Sequence, residues 1–226
     1  MWGAARYYVS RVAMTALFGV VLFIAAGRLD WGRAWLYLVV VLVGETLSEA
    51  AVLVVNPQVL NQRGTMMRPG TKPFDRVFVA LWPVVAYATA AVAGLDAGRY
   101  GWTSLPLGAV YGGVALTVVG YVIGSWAMAV NAFFEPTVRI QTERGHRPVT
   151  SGPYRIVRHP GYAGAVLGAL AAPLVLGSAW MFAASAAVAL LFAARTALED
   201  ETLQRELPGY REYALRTRYR LLPGVW

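Results

Sequence analysis

The chain has 226 residues, of which 58% are hydrophobic and 14% charged, with a mean hydropathy of +0.50 and a net charge of +8. Soluble domains carry about 25% charged residues, and a basic nucleic-acid binder shares the charge but not the hydropathy, so nucleic acid is excluded as a partner. The lack of cysteine excludes a disulfide framework, a thiolate metal site and a catalytic thiol, and no metal is expected. What remains is an all-α, polytopic membrane protein.

Charges divide the sequence into apolar runs. Val12–Gly27 and Ala34–Val55 each read as one span; Glu45 and Glu49 interrupt the second. Arg6 and Arg11 before the first run and Ala25-Ala26 near its end also fit a signal peptide. A loop from Pro57 to Arg76, with one interfacial helical turn, leads to a third span over Val77–Leu95. The 35 uncharged residues from Tyr100 to Phe134 hold a fourth, with Pro106 at its start. Glu135–Arg158 is a polar connector.

The last run, His159–Ala194, has 36 residues. A single straight helix of that length would measure about 54 Å, far beyond a bilayer core. Pro173 and Gly177-Ser178 near its middle allow either a kink or a hairpin. The basic residues decide between them. With a hairpin and the N-terminus inside, 17 of the 20 Lys and Arg fall on the cytoplasmic side, whereas one kinked span sends the six tail arginines outside, against the positive-inside rule. The expectation is four spans plus a C-terminal helical hairpin, with both termini cytoplasmic and, in a bacterium, residence in the inner membrane. Beyond it, Leu203, Leu207, Tyr210 and Ala214 mark an amphipathic helix within Glu199–Trp226, lying on the membrane or the protein despite Pro208-Gly209.

The only two histidines, His146 and His159, lie in or at the end of the connector, which also holds Tyr154, Arg155 and Arg158. Arg195 and Glu199 stand four residues apart at the end of the second hairpin helix, which returns them beside Arg158 and His159. Imidazole, guanidinium, carboxylate and phenol thus meet at one membrane–water boundary. That set suits a zwitterionic ligand with a cationic centre: Arg or His for its carboxylate, Glu199 for its ammonium, tyrosine faces for the cation. The plainer account makes Arg158, His159 and Tyr162 interfacial anchors and Arg195–Glu199 a helix-surface pair.

Thr150-Ser151-Gly152-Pro153-Tyr154-Arg155-Ile156-Val157-Arg158-His159-Pro160-Gly161-Tyr162, followed by Glu199-Asp200-Glu201 and Tyr210-Arg211-Glu212-Tyr213, resembles the isoprenylcysteine carboxyl methyltransferase family and the related membrane phospholipid methyltransferases. The resemblance covers roughly Asn131 to Trp226. It implies an integral membrane methyltransferase using S-adenosyl-L-methionine on a lipophilic small-molecule or lipidated acceptor, by carboxyl O-methylation of an isoprenylcysteine-like or other lipid substrate. By position, the cofactor contacts would be Gln141, His146, Arg147, Pro148, Val149, Tyr154, His159, Pro160, Gly161, Tyr162 and Glu199. Arg195 would meet the substrate, and Arg195 and Glu199 would be catalytic. Consistently, no Gly-x-Gly-x-x-Gly follows a strand pattern.

Three further features bear on the substrate. Glu45 and Glu49 share a helix face within a span, where carboxylates are costly; they line a substrate cavity or pair with an arginine. Asn131 either orients cofactor or substrate or caps a helix end. Gly161, Gly164 and Gly168 have the spacing of a helix-packing face. The chain is expected to be a single membrane domain, 1–226, with spans and loops over 1–130 and the catalytic region over 131–226. The alternatives are an NADPH-dependent membrane sterol or steroid reductase, and a non-enzymatic scaffold or transporter.

Overall fold

The computed structural model describes residues 2–226. Among them are eight α-helices and no strand: α1 (Trp2–Ala26), α2 (Gly32–Val55), α3 (Pro57–Arg63), α4 (Pro73–Ala93), α5 (Gly108–Val130), α6 (Pro160–Leu176), α7 (Trp180–Glu206) and α8 (Tyr210–Arg216). A π-helical turn, Gly94–Tyr100, prolongs α4. Five helices (α1, α2, α4 with its π turn, α5 and α7) are long and apolar enough to cross a membrane. The fold is a polytopic membrane helix bundle, with α6 and α7 as the C-terminal hairpin. Its outward faces carry exposed aliphatic side chains such as Val39, Val43, Leu47 and Val54 of α2, as a lipid-facing surface requires.

The hairpin turns where the sequence breaks. Pro173 sits in the last turn of α6, and its carbonyl accepts from the backbone N–H of Gly177 (2.8 Å) and Ser178 (3.1 Å). Gly177 adopts φ +81°, the left-handed conformation that glycine takes without penalty. At 17 residues α6 is about 25 Å long, short of the bilayer core, and it rests along α5. Gly164 sets that approach: a Cβ there would lie 2.6 Å from the Gly120 carbonyl oxygen. Of the three small residues read as a packing face, Gly164 serves packing, whereas Gly161 turns toward Phe134 and Gly168 faces open space.

The long-range contacts sort the connections into two ends. At one, Ala4 N–H donates to Asn61 Oδ1 (3.1 Å), Lys72 N–H to the Val138 carbonyl (2.9 Å) and Arg158 N–H to the Tyr219 carbonyl (2.9 Å). The N-terminus, α3, the α5–α6 connector and the C-terminal tail therefore share one end. At the other, Arg33 donates to the Leu105 carbonyl (2.9 Å) and Ser178 Oγ to Asp96 Oδ2 (2.6 Å). Seventeen of the twenty basic residues belong to segments at the first end.

Several boundaries differ from the sequence reading. α1 begins at Trp2, so Arg6 and Arg11 lie within the helix rather than before it. The 35-residue uncharged run contains a helix of only 23 residues, starting two positions after Pro106. Glu199 does not open a separate amphipathic helix: α7 continues unbroken to Glu206, because no residue before Pro208-Gly209 interrupts it. Gly209, at φ +80°, then turns the chain into α8. Leu203, Leu207, Tyr210 and Tyr213 are buried against Ala127 and Tyr154, so this segment lies on the protein.

Candidate active site

The connector, the first turn of α6 and the C-terminal third of α7 line a cavity of about 530 Å³, within the usual size of ligand sites. Its walls include Asn131, Gln141, His146, Arg147, Pro148, Val149, Tyr154, His159, Gly161, Tyr162, Arg195 and Glu199. Pro160 is fully buried behind this wall as the first residue of α6, where its missing N–H costs nothing. Glu45 and Glu49 line a second cavity of about 330 Å³ between α1, α2 and α5. The two cavities share Tyr7, Arg11, Arg63, Trp82, Phe134 and Ala165 as walls.

Asp200 of α7, fully buried, organises the floor. Arg158 Nε donates to its Oδ1 (2.7 Å) and Arg158 Nη2 to its Oδ2 (2.8 Å). Tyr210 Oη donates to Oδ1 (3.0 Å), and Gln204 Nε2 (2.8 Å) and Arg220 Nε (2.9 Å) to Oδ2. His159 Nε2 lies 3.4 Å from Oδ1. Arg158 also donates to the Thr217 and Arg218 carbonyls (3.0 and 2.9 Å). Arg158 and His159 are therefore buried structural partners of Asp200 rather than interfacial anchors.

Above this floor His159 stands at the N-terminal boundary of α6, and its ring stacks on Tyr162, with centroids 5.7 Å apart and planes 6° from parallel. The Tyr162 hydroxyl donates to Glu199 Oε2. Arg195 does not pair with Glu199. Its Nη2 donates to Asp75 Oδ2 (3.2 Å) and the Pro136 carbonyl (2.8 Å), and its Nε makes an ion contact with Asp75 Oδ1 at 2.7 Å, off the hydrogen-bond line. The guanidinium lies between the rings of Phe78 (4.2 Å) and Tyr162 (4.9 Å). Asp75, in the first turn of α4, also accepts from the Val138 N–H (2.7 Å), so one carboxylate ties α4, the connector and α7 together.

The connector is locally determined. Asn131 ends α5; its Oδ1 accepts from Phe133 N–H (2.8 Å) and its Nδ2 donates to the Tyr154 hydroxyl (2.8 Å), so it both caps and reaches the cavity. Burial pushes the Tyr154 phenol up, and the Asn131 amide pulls it partly back. The Tyr154 carbonyl accepts from Tyr213 Oη (2.7 Å), which fastens α8 beneath the connector. Gln141 lines the cavity, yet its amide is committed to the Phe133 carbonyl (2.8 Å) and to Arg144. Arg139 is held by Glu135 (2.7 Å) and Glu143 (2.8 Å); these contacts raise the guanidinium and lower the Glu143 carboxyl.

Burial pushes the His146 imidazole down to about 4. The Gln141 N–H donates to His146 Nδ1 (3.3 Å), which places the proton of the neutral ring on Nε2. In the second cavity Glu45 pairs with Arg11 (2.6 Å) and accepts from Thr15 (3.1 Å), while Glu49 is buried without an ion pair among the described residues. No cluster of His, Asp or Glu suited to a metal occurs among the described residues.

The sequence profile of the isoprenylcysteine carboxyl methyltransferase (ICMT) family matches residues 113–205, which contain most of α5, the connector, α6 and most of α7. The chain is also 31% identical over 107 residues to a probable protein-S-isoprenylcysteine O-methyltransferase from Oryza sativa subsp. indica, and equally to one from subsp. japonica. Each alignment covers 46% of this chain and 56% of the relative, so the chain spans little more than half the length of the curated relatives it matches. Over this part, the chain is similar to the same family as its connector motif. Asp75 and Arg63 lie outside the matched segment, and sequence reasoning assigned neither a role; only contacts across the bundle reveal them.

Proposed function

We propose that this protein is an S-adenosylmethionine-dependent methyltransferase acting on a lipophilic, membrane-embedded acceptor. The observation that carries the reading is the pair of cavities with common walls. One is roofed by the polar connector and reachable by a water-soluble donor; the other lies among the spans, where a lipid tail is at home. The charge distribution supports a cytoplasmic location for the connector end and both termini. The relatives' names, and the Arg-His-Pro-Gly-Tyr element at the cavity, support carboxyl O-methylation as the particular reaction.

The residues around the first cavity fit such a donor. The Glu199 carboxylate suits its ammonium group, while His146 Nε2–H and the exposed Arg147 suit its carboxylate. The faces of Tyr154 and Tyr162 suit its base and cationic centre. Gly161 lets the Phe134 ring close against the first turn of α6, since a Cβ there would meet that ring at 2.5 Å. Bound in the first cavity, the donor would supply a methyl carbon activated by its sulfonium, the C–S bonding pair leaving with sulfur as an acceptor oxygen takes the methyl group.

The protein's own task is orientation and exclusion of water. Tyr162 fixes the Glu199 carboxylate through its hydroxyl. Arg195, clamped by Asp75 and two rings, holds its guanidinium in one place in the cavity wall. Tyr210, Tyr213 and Leu207 close the site from the tail side. A carboxylate acceptor needs no base, whereas an amine or phenol would pass its proton to Glu199. Calorimetry of the purified protein with S-adenosylmethionine tests the reading: saturable binding, weakened by Glu199→Gln, is expected. No binding to the wild-type protein overturns it.

A further inference from the structure

Most arginines that line the first cavity are already neutralised: Arg11 by Glu45, Arg139 by Glu135, Arg158 by Asp200 and Arg195 by Asp75. Arg6 and Arg147 are exposed to water. Arg63, the last residue of α3, is neither. It is partly buried, makes no ion pair or hydrogen bond among the described residues, and its Nε is shielded from solvent. Its guanidinium lies instead against the rings of Tyr7 (4.8 Å) and Phe134 (5.1 Å). Cation–π contact returns only part of what a desolvated charge loses, and no carboxylate among the described residues touches the group.

Its place tells what a counter-ion would be attached to. Arg63 and both rings that hold it belong to the wall common to the two cavities. A ligand spanning both must pass this neck, with its polar end toward the connector and its tail toward α2 and α5. Glu49, buried and likewise without an ion pair, lines the second cavity with Arg63 and attracts it across that space, but the two make no ion pair. A guanidinium offers a planar fork that matches an oxyanion with two donors.

We propose that Arg63 is a specificity-determining residue that binds an oxyanion of the acceptor, a carboxylate or a phosphate, at the neck between the cavities. The assignment rests on the methyltransferase reading for the word acceptor, but the anion site itself does not. Arg63 and Tyr7 lie outside the segment matched by the family profile, and Phe134 lies within it, so the neck joins this chain's N-terminal part to the matched segment.

The test uses the full-length protein in detergent and displacement of a fluorescent fatty acid by three probes with one tail: oleate, oleyl phosphate and oleamide. The wild-type protein is expected to bind at least one anionic probe about tenfold or more tighter than oleamide, as a charge-assisted pair requires. Preference for oleate names a carboxylate and preference for oleyl phosphate a phosphate. Arg63→Gln should bring the ratio near one and Arg63→Lys should keep part of it, with S-adenosylmethionine affinity unchanged in both. Equal binding of all three probes by the wild-type protein overturns the proposal, whether or not the variants fold. So does an anion preference that survives Arg63→Gln, or a loss of S-adenosylmethionine binding in Arg63→Gln. If the wild-type protein keeps the anion preference but binds no S-adenosylmethionine, the methyltransferase reading fails and the anion site stands.

Discussion

Arg158 and Asp200, 42 positions apart, are joined by two parallel hydrogen bonds of 2.7 and 2.8 Å in a fully buried setting. This fork fixes the connector to α7, and through Tyr210 and Arg220 it fixes the tail to both. Breaking a buried ion pair by removing one partner costs roughly 3–5 kcal/mol, because the other charge is left unpaired. Asp200→Ala should therefore lower the melting temperature in detergent by on the order of 10 °C, as followed by a thermal-shift assay. A shift within error would mean that Arg158 finds other partners.

Tyr162 and Glu199 are coupled through one hydrogen bond to a carboxylate. Such bonds contribute about 1.5–3 kcal/mol, or roughly 10- to 100-fold in an equilibrium constant. Tyr162→Phe keeps the ring stacked on His159 but frees Glu199, and should weaken S-adenosylmethionine binding by about that factor with little change in melting temperature. Calorimetry beside a melting curve separates the two effects.

Asp96 gives the contrast at the opposite end of the bundle. It accepts from Thr103 N–H (2.8 Å), Thr103 Oγ1 (2.6 Å), Ser178 Oγ (2.6 Å) and Trp180 N–H (3.3 Å), and so stitches the π turn to the hairpin tip. Asp96→Ala should destabilise the fold by at least about 2 kcal/mol through unpaired buried donors, yet leave donor affinity unchanged at low temperature. Loss of donor binding in a folded Asp96→Ala protein would contradict the placement of the site.

The His146 imidazole is depressed from 6.5 to about 4 in the folded protein. The unfolded chain therefore takes up a proton at a higher pH than the folded one, and stability falls as pH falls. The contribution of His146 is complete above about pH 6.5 and is lost progressively toward pH 4. His146→Gln, which cannot titrate, should flatten the melting temperature between pH 7 and pH 4.5, relative to wild type. Parallel pH profiles for the two proteins would show that the ring is not desolvated.

The hairpin, the shared end of both termini and the connector were legible because each leaves a local mark: arginine distribution, a Pro/Gly break in an overlong apolar run, and a dense cluster of polar and aromatic residues. The ion pairs were not. Asp75 meets Arg195 across 120 positions and Asp200 meets Arg158 across 42, and nothing in their neighbourhoods announces a partner. Arg195 and Glu199 looked like a helix pair by spacing, but each found a partner on another element, Asp75 of α4 and Tyr162 of α6. The extent of α7 was missed for a related reason. A helix need not stop where its apolar stretch does, and only Pro208-Gly209 ends it. Arg63 read as one of four basic residues in its loop; its lack of an ion-pair partner is a property of the bundle alone.

The most direct measurement is transfer of labelled methyl from S-adenosylmethionine to a total lipid extract by the purified protein, with mass spectrometry of the product. The account predicts a labelled lipophilic product whose yield falls steeply in Glu199→Gln and Tyr162→Phe. Absence of any labelled product from a folded protein, or equal yield from the Glu199→Gln variant, would contradict it.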